Sequence, residues 1–272
     1  MIISSQDLNK ILDNKKNIIL DSRWYLKDIN LGKEQYKTSH IPNAVFFDIE
    51  SCSRKNSKIP HAIPSKEEFE KSVSKLGISN NQNIIVYDQT GFVSSTRVWF
   101  LFNFFGHRNI SILNGGFKSW IKEKRTVTSK IIKTSKSKFK AKIVKNMVIK
   151  KKQIQSLLIQ ENNAHKIVDA RPKDRFQGKI DEPRKDVKRG KIPQSINIPF
   201  DEIHDDLGNI LDVSELKKLF KSKKVVKHKK IICYCGSGIT ACNLIFALNM
   251  LSYTEILLYD GSWAEWGKIK KK

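Results

Sequence analysis

Ile231-Ile232-Cys233-Tyr234-Cys235-Gly236-Ser237-Gly238-Ile239-Thr240-Ala241 joins a short apolar run to a glycine-punctuated turn. The turn leads into a helical pattern with Ala241, Leu244, Ile245 and Leu248 on its inner side. A bounded apolar run of this length predicts a strand buried in a parallel sheet. Cys235 then stands at the strand's carboxyl end, where reactive loops of such sheets gather. The two glycines let the backbone curl, so that successive N–H groups point inward and form a cradle for an anion. That cradle spans Gly236, Ser237, Gly238, Ile239 and Thr240, and the following helix N-terminus adds positive potential. Both effects favour thiolate over thiol, and thiolate is the nucleophile. Taken alone, a Cys-Gly-x-Gly turn is equally compatible with a structural turn.

Working outward, the same pattern occurs earlier in the chain. Ile84-Ile85-Val86-Tyr87-Asp88 matches Ile231 to Cys235, and Ile19-Leu20-Asp21-Ser22-Arg23 matches Ile167-Val168-Asp169-Ala170-Arg171. His40-Ile41-Pro42-Asn43-Ala44 matches Lys191-Ile192-Pro193-Gln194-Ser195, and Gly115 to Trp120 matches Asp260 to Trp266. The four matches keep their order at offsets of 146 to 151 residues, which implies duplication of one domain. Each copy alternates short apolar runs with helical stretches, such as the one opened by Ser65-Lys66-Glu67-Glu68 and closed by Gly77. The second copy's matching helix is expected to open at Ser214. The fold class expected is α/β: two domains, each a parallel sheet with helices on both faces. The boundaries expected are 1–125, a linker at 126–148 with apolar residues alternating at Phe139, Ala141 and Ile143, and 149–272. Asp88 holds the cysteine's place in the first copy and cannot act as a sulfur nucleophile, so that domain is expected to be a noncatalytic support.

At 272 residues the chain has room for two such domains. The net charge of +24 raises the question of nucleic acid, but the lysines are spread along the whole chain and aromatic stacking signatures are lacking. No specific nucleic-acid partner is expected; the charge should instead steer anionic substrates toward the protein. No apolar run reaches the length of a membrane span, and the N-terminus enters a helical pattern at once instead of showing a signal peptide. No membrane association is expected, and the expected compartment is the cytoplasm. The four cysteines fit no paired zinc pattern and are expected to be free thiols in a reducing compartment. No metal is expected. Cys52, Cys233 and Cys242 read as buried small hydrophobes, with Cys52 close to the expected site. Trp24, Trp120, Trp263 and Trp266 read as packing residues, and Asp21 and Asp169 as structural hydrogen bonders.

Cys235-Gly236-Ser237-Gly238-Ile239-Thr240-Ala241 resembles the active loop of the tandem-domain rhodanese family, and in particular of its 3-mercaptopyruvate sulfurtransferase branch. The resemblance extends to Asp21-Ser22-Arg23-Trp24-Tyr25-Leu26, Phe46-Phe47-Asp48, Gly106-His107-Arg108 and Tyr259-Asp260-Gly261-Ser262-Trp263. It implies a catalytic cysteine, Cys235, in the second domain, with the active site at the domain interface. It implies that Arg175 and Arg184 take a substrate carboxylate through bidentate guanidinium contacts. It implies catalytic roles for Ser237, for the first-domain acid at Glu50, where the family usually has Asp, and for His61. Lys191 and Gln194 depart from the family's Gly-His-Ile-Pro-Gly turn. The implied reaction carries sulfur from 3-mercaptopyruvate, or in a related reading thiosulfate, through a Cys235 persulfide. The acceptor is cyanide or a thiol, thioredoxin or a small dithiol, and no cofactor is implied. A phosphatase or arsenate-reductase loop would end in Arg seven residues into the motif; position 241 is Ala. A noncatalytic sulfur-binding module is disfavoured by the intact cysteine and its arginine pair.

Overall fold

The computed structural model describes residues 1–160 and 164–269; the end of the expected second domain, 270–272, lies outside them. Among the described residues nine strands form two parallel sheets: β1 (Ile2–Ile3), β2 (Asn17–Asp21), β3 (Ala44–Phe46), β4 (Asn83–Tyr87), β5 (Ile110–Leu113), β6 (His165–Asp169), β7 (Ile196–Asn197), β8 (Lys230–Tyr234) and β9 (Ile256–Leu258). The first sheet runs β1-β5-β4-β2-β3 and the second β7-β6-β8-β9. Each is flanked by helices, the α/β architecture expected from the sequence.

The chain divides into two compact units, and each borrows a segment from the other half of the sequence. The first unit comprises Met1–Lys55, Ile63–Val144 and His204–Ile210; the second comprises Asn56–Ala62, Lys145–Ile203 and Leu211–Lys272.

In the first unit, Asp21 at the end of β2 is fully buried and holds Arg23 at 2.6 Å. Tyr87, the last residue of β4, donates to the same carboxylate at 2.7 Å and accepts from the Ile41 amide at 3.2 Å. One strand end thus fixes both its neighbour and the Ile41-Pro42-Asn43 turn, where Asn43 takes the left-handed conformation (φ 65°). The second unit repeats the device. Asp169 holds Arg171 at 2.6 Å, Tyr234 accepts from the Ile192 amide at 3.2 Å, and Gln194 occupies the left-handed position (φ 59°). The departure at Gln194 therefore leaves the turn intact.

Helix Lys66–Lys75 carries the expected capping box: the Glu68 amide donates to Ser65 Oγ, and the Ser65 amide donates to the Glu68 carboxylate. Its counterpart, Val213–Ser222, starts one residue before the expected Ser214, because Asp212 is the better acceptor and Glu215 completes the box. The N-terminus also differs from expectation. Ile2 and Ile3 pair with Ile112 and Leu113 before helix Ser5–Lys10 begins, since the exposed edge of β5 offers their backbone partners. In the second unit Val148 makes a single parallel bridge to Leu258 at the corresponding edge.

Residues between helices Gly116–Lys122 and Lys151–Ile159 form no named strand. They are pinned by a bridge from Thr128 to His40 and by buried Phe139, whose ring meets Phe69 edge-on at 5.7 Å. Of the three alternating apolar residues there, Phe139 and Ala141 are buried while Ile143 faces solvent. Helix Ala241–Met250 is buried from Ala241 through Leu248 rather than on one face only, as befits an almost wholly apolar helix.

Candidate active site

Cys235 follows β8 and is 1% exposed. Its sulfur accepts the Gly238 amide at 3.2 Å, so the curled backbone does aim an N–H at the sulfur. Gly238 has φ 80°, a conformation that favours glycine. Two further contacts fix the loop from the segment after β9. The Trp263 amide donates to the Cys235 carbonyl and the Ala264 amide to the Gly236 carbonyl, both at 2.9 Å.

The first unit shows the same construction around Asp88. Phe117 and Lys118 amides donate to the Asp88 and Gln89 carbonyls at 2.8 and 3.0 Å. The Asp88 carboxylate fills the curled loop: it accepts from the amides of Thr90, Gly91, Val93, Ser94 and Ser95 at 2.5–3.1 Å. A carboxylate there gathers five charge-assisted hydrogen bonds, each stronger than its neutral equivalent. The corresponding loop of the second unit begins with a sulfur atom instead.

Ser262 was not singled out from the sequence, yet it holds the cysteine backbone. Its Oγ accepts the Cys235 amide at 3.1 Å and donates to the Tyr259 carbonyl at 2.9 Å. Ser262 adopts φ 49°, and its counterpart in the first unit is Gly116 (φ 56°). A serine kept where the backbone favours glycine is accounted for by that hydroxyl. The signal was present in the repeat: Gly116 aligns with Ser262, and only the copy that holds the cysteine carries the side chain.

Three of the expected site residues meet in the second unit. His61 belongs to its borrowed segment, is 7% exposed, and places Nδ1 2.8 Å from Ser237 Oγ. Arg175 lies beside the cysteine loop, because a methyl group built on Gly236 would sit 2.8 Å from its guanidinium. That guanidinium contacts the Glu182 carboxylate at 2.5 Å, and Glu182 also binds Arg171 at 2.7 Å. Burial would lower the Arg171 pKa, but Asp169 and Glu182 outweigh it and hold the charge. Asp169, Arg171, Glu182 and Arg175 thus form one chain of ion pairs ending at the loop. Arg184 is half-buried nine residues further on, and its carbonyl accepts the Val187 amide. Glu50 lies in the first unit, where it accepts the Trp24 indole N–H at 2.8 Å. Trp24 therefore does more than pack.

All four cysteines are buried free thiols. Burial pushes the Cys52 thiol up to about 12 and raises Cys233 as well, so neither is an effective nucleophile near neutrality. Cys242 donates to the Gly238 carbonyl at 3.3 Å and helps set the loop from beneath.

The rhodanese-like domain model matches residues 4–123 and 151–269, and the chain belongs to that family. It is 36% identical to a thiosulfate sulfurtransferase of Gallus gallus, over 91% of this chain and 85% of that protein. It is also 36% identical to a 3-mercaptopyruvate sulfurtransferase of Escherichia coli K12, over 94% of this chain and 91% of that protein. Among solved structures it resembles SseA from Escherichia coli, a 3-mercaptopyruvate sulfotransferase, with TM-score 0.86 and 33% identity over 96% of this chain and 98% of that one. The Tum1 protein of Saccharomyces cerevisiae gives TM-score 0.87 and 28% identity over 97% and 94%. Among the described residues no helix is long and apolar enough to cross a membrane.

Proposed function

We propose that this protein is a sulfurtransferase that takes sulfur from 3-mercaptopyruvate onto Cys235 and passes it to a thiol. The observation that carries this reading is the pairing of Asp88 with Cys235. One loop is filled by a side-chain anion held by five amides, and its counterpart presents a sulfur with an amide at 3.2 Å. A loop built to hold negative charge suits first a thiolate and then a persulfide.

In the first half-reaction the Cys235 thiolate attacks the substrate sulfur. A sulfur–sulfur bond forms, the carbon–sulfur bond breaks, and its electron pair leaves as the enolate of pyruvate. A proton delivered to carbon gives pyruvate. Ser237 and His61, 2.8 Å apart, are the pair that supplies or relays it. Glu50 is assigned to the same relay, and the substrate carboxylate to Arg175 and Arg184. In the second half-reaction an acceptor thiolate attacks the outer sulfur and restores the Cys235 thiolate. Thioredoxin or a small dithiol suits this step, and cyanide serves in the assay. The first domain, with Asp88 in the cysteine's place, acts as a noncatalytic support. Four free thiols are in keeping with a reducing compartment such as the cytoplasm.

Thiosulfate is the second reading, because relatives with either donor in their names match at the same identity. The uncharged Gly236-Ser237 pair favours the keto acid, since a site releasing sulfite gains from cations beside the cysteine. Parallel assays of pyruvate release from 3-mercaptopyruvate and thiocyanate formation from thiosulfate and cyanide test the choice. Equal efficiency, or preference for thiosulfate, overturns the donor assignment and leaves the persulfide intact.

A further inference from the structure

A cavity of about 480 Å³ in the first unit takes no part in the chemistry above. One wall is the face of helix Lys66–Lys75 and its cap that presents Glu68, Lys71, Ser72, Lys75 and Leu76. This is the one-sided spacing of helical neighbours. The other wall is the chain from Phe46 to Cys52, which contributes Phe46, Phe47, Asp48, Ser51 and Cys52. Burial keeps that thiol protonated, so it lines the cavity as a small neutral group. The volume falls within the range of small-molecule sites.

The lining holds three lysines, Lys55, Lys71 and Lys75, against two carboxylates, Asp48 and Glu68, an excess of positive charge. Both carboxylates are already engaged by the protein: Glu68 accepts the Ser65 and Lys55 amides at 2.6 and 2.9 Å, and Asp48 accepts the Ser51 hydroxyl at 2.5 Å. Lys55 donates to the Ser51 carbonyl. Lys71 and Lys75, one helical turn apart, are exposed and have no carboxylate partner among the described residues. An apolar interior with two unpartnered ammonium groups at its mouth is complementary to one kind of ligand.

We propose that this cavity binds an amphipathic organic anion, with an aromatic or branched apolar body against Phe46, Phe47 and Leu76 and a carboxylate or sulfonate on Lys71 and Lys75. The proposal does not depend on the sulfur chemistry assigned to Cys235.

The probe is 8-anilino-1-naphthalenesulfonate, titrated by fluorescence against the intact protein. Saturable binding to one site is expected. Lys71→Glu/Lys75→Glu should weaken it at least tenfold, which is about 1.4 kcal/mol. Lys217→Glu/Lys218→Glu, the same charge change on exposed positions of helix Val213–Ser222, should leave it within twofold. Hydrogen exchange should show protection by the probe in 46–52 and 66–76. Equal weakening by both double variants would mean that the overall charge of +24 holds the probe, and would overturn the proposal. Non-saturable binding, or protection confined to other segments, would overturn it as well.

Discussion

His61 Nδ1 and Ser237 Oγ stand 2.8 Å apart although 176 residues separate them in the chain. If they act as one proton relay, they should not act additively. Ser237→Ala and His61→Gln should each lower kcat for 3-mercaptopyruvate by roughly 100-fold, within the usual span of acid–base contributions. The double variant should lose little more than either single one. Multiplying losses in steady-state kinetics would show two independent roles.

Cys235→Ser should abolish turnover while leaving the circular dichroism spectrum and thermal transition unchanged. Treated with donor and no acceptor, the wild type should gain one sulfur on the Cys235 peptide in mass spectrometry. Added sulfur on Cys52 or Cys242 instead would displace Cys235 from the mechanism.

Thiol alkylation should follow the same ranking. With its pKa near 12, Cys52 holds about one thiolate in 10⁴ molecules at pH 8. Iodoacetamide at pH 8 should therefore modify Cys235 first, and prior loading with donor should change the mass of that adduct. Cys52 labelling should climb about tenfold per pH unit while the fold persists, because its raised pKa is approached from below. Early modification of Cys52 at pH 8 would contradict its burial.

Asp88→Ala tests a role that the sequence understates. Read alone, Asp88 is a vestige whose loss should leave catalysis within a few fold. The structure makes it the acceptor of five amides of its loop, and each buried donor left unsatisfied costs about 1–3 kcal/mol. Turnover per folded molecule should stay near wild type, while the melting temperature should fall by roughly 10 °C. An unchanged melting temperature would mean that water replaces the carboxylate at no cost.

Gly236→Ala should push the Arg175 guanidinium off its present position, since the new methyl would lie 2.8 Å from it. KM for 3-mercaptopyruvate should rise about tenfold with a smaller change in kcat, the pattern of lost ground-state binding. Arg184→Ala should impair use of this donor by about 30-fold or more in kcat/KM. Equal loss with thiosulfate would indicate that neither arginine reads the carboxylate.

The strands that carry the site were legible because each is an apolar run with β-branched residues, and the repeat showed them twice. The strand-end position of Cys235, its glycine turn and the helix after it follow from local sequence, whereas the burial of that helix on all sides does not. β3 and β7 were not legible: at three and two residues, their pairing is set by the neighbours β2 and β6. Ser262 escaped notice because its importance lies in a left-handed backbone angle and in a hydrogen bond across 27 residues. The ion-pair chain from Asp169 to Arg175 was half visible, as the strand-end Asp169 and Arg171 stand two residues apart while Glu182 enters only through the fold.

Because of the borrowed segments, 56–62 and 204–210, neither half of the chain holds the whole of one compact unit. A gene trimmed to its second half would encode the cysteine, both arginines and Ser237, but no His61. A gene trimmed to its first half would lack the stretch in which Gly208 lies against the Thr90 backbone. Each unit is completed by a piece that lies in the other half of the chain. A truncation between the copies should therefore leave both units incomplete, and a circular permutant should be opened at a site that keeps both loans whole.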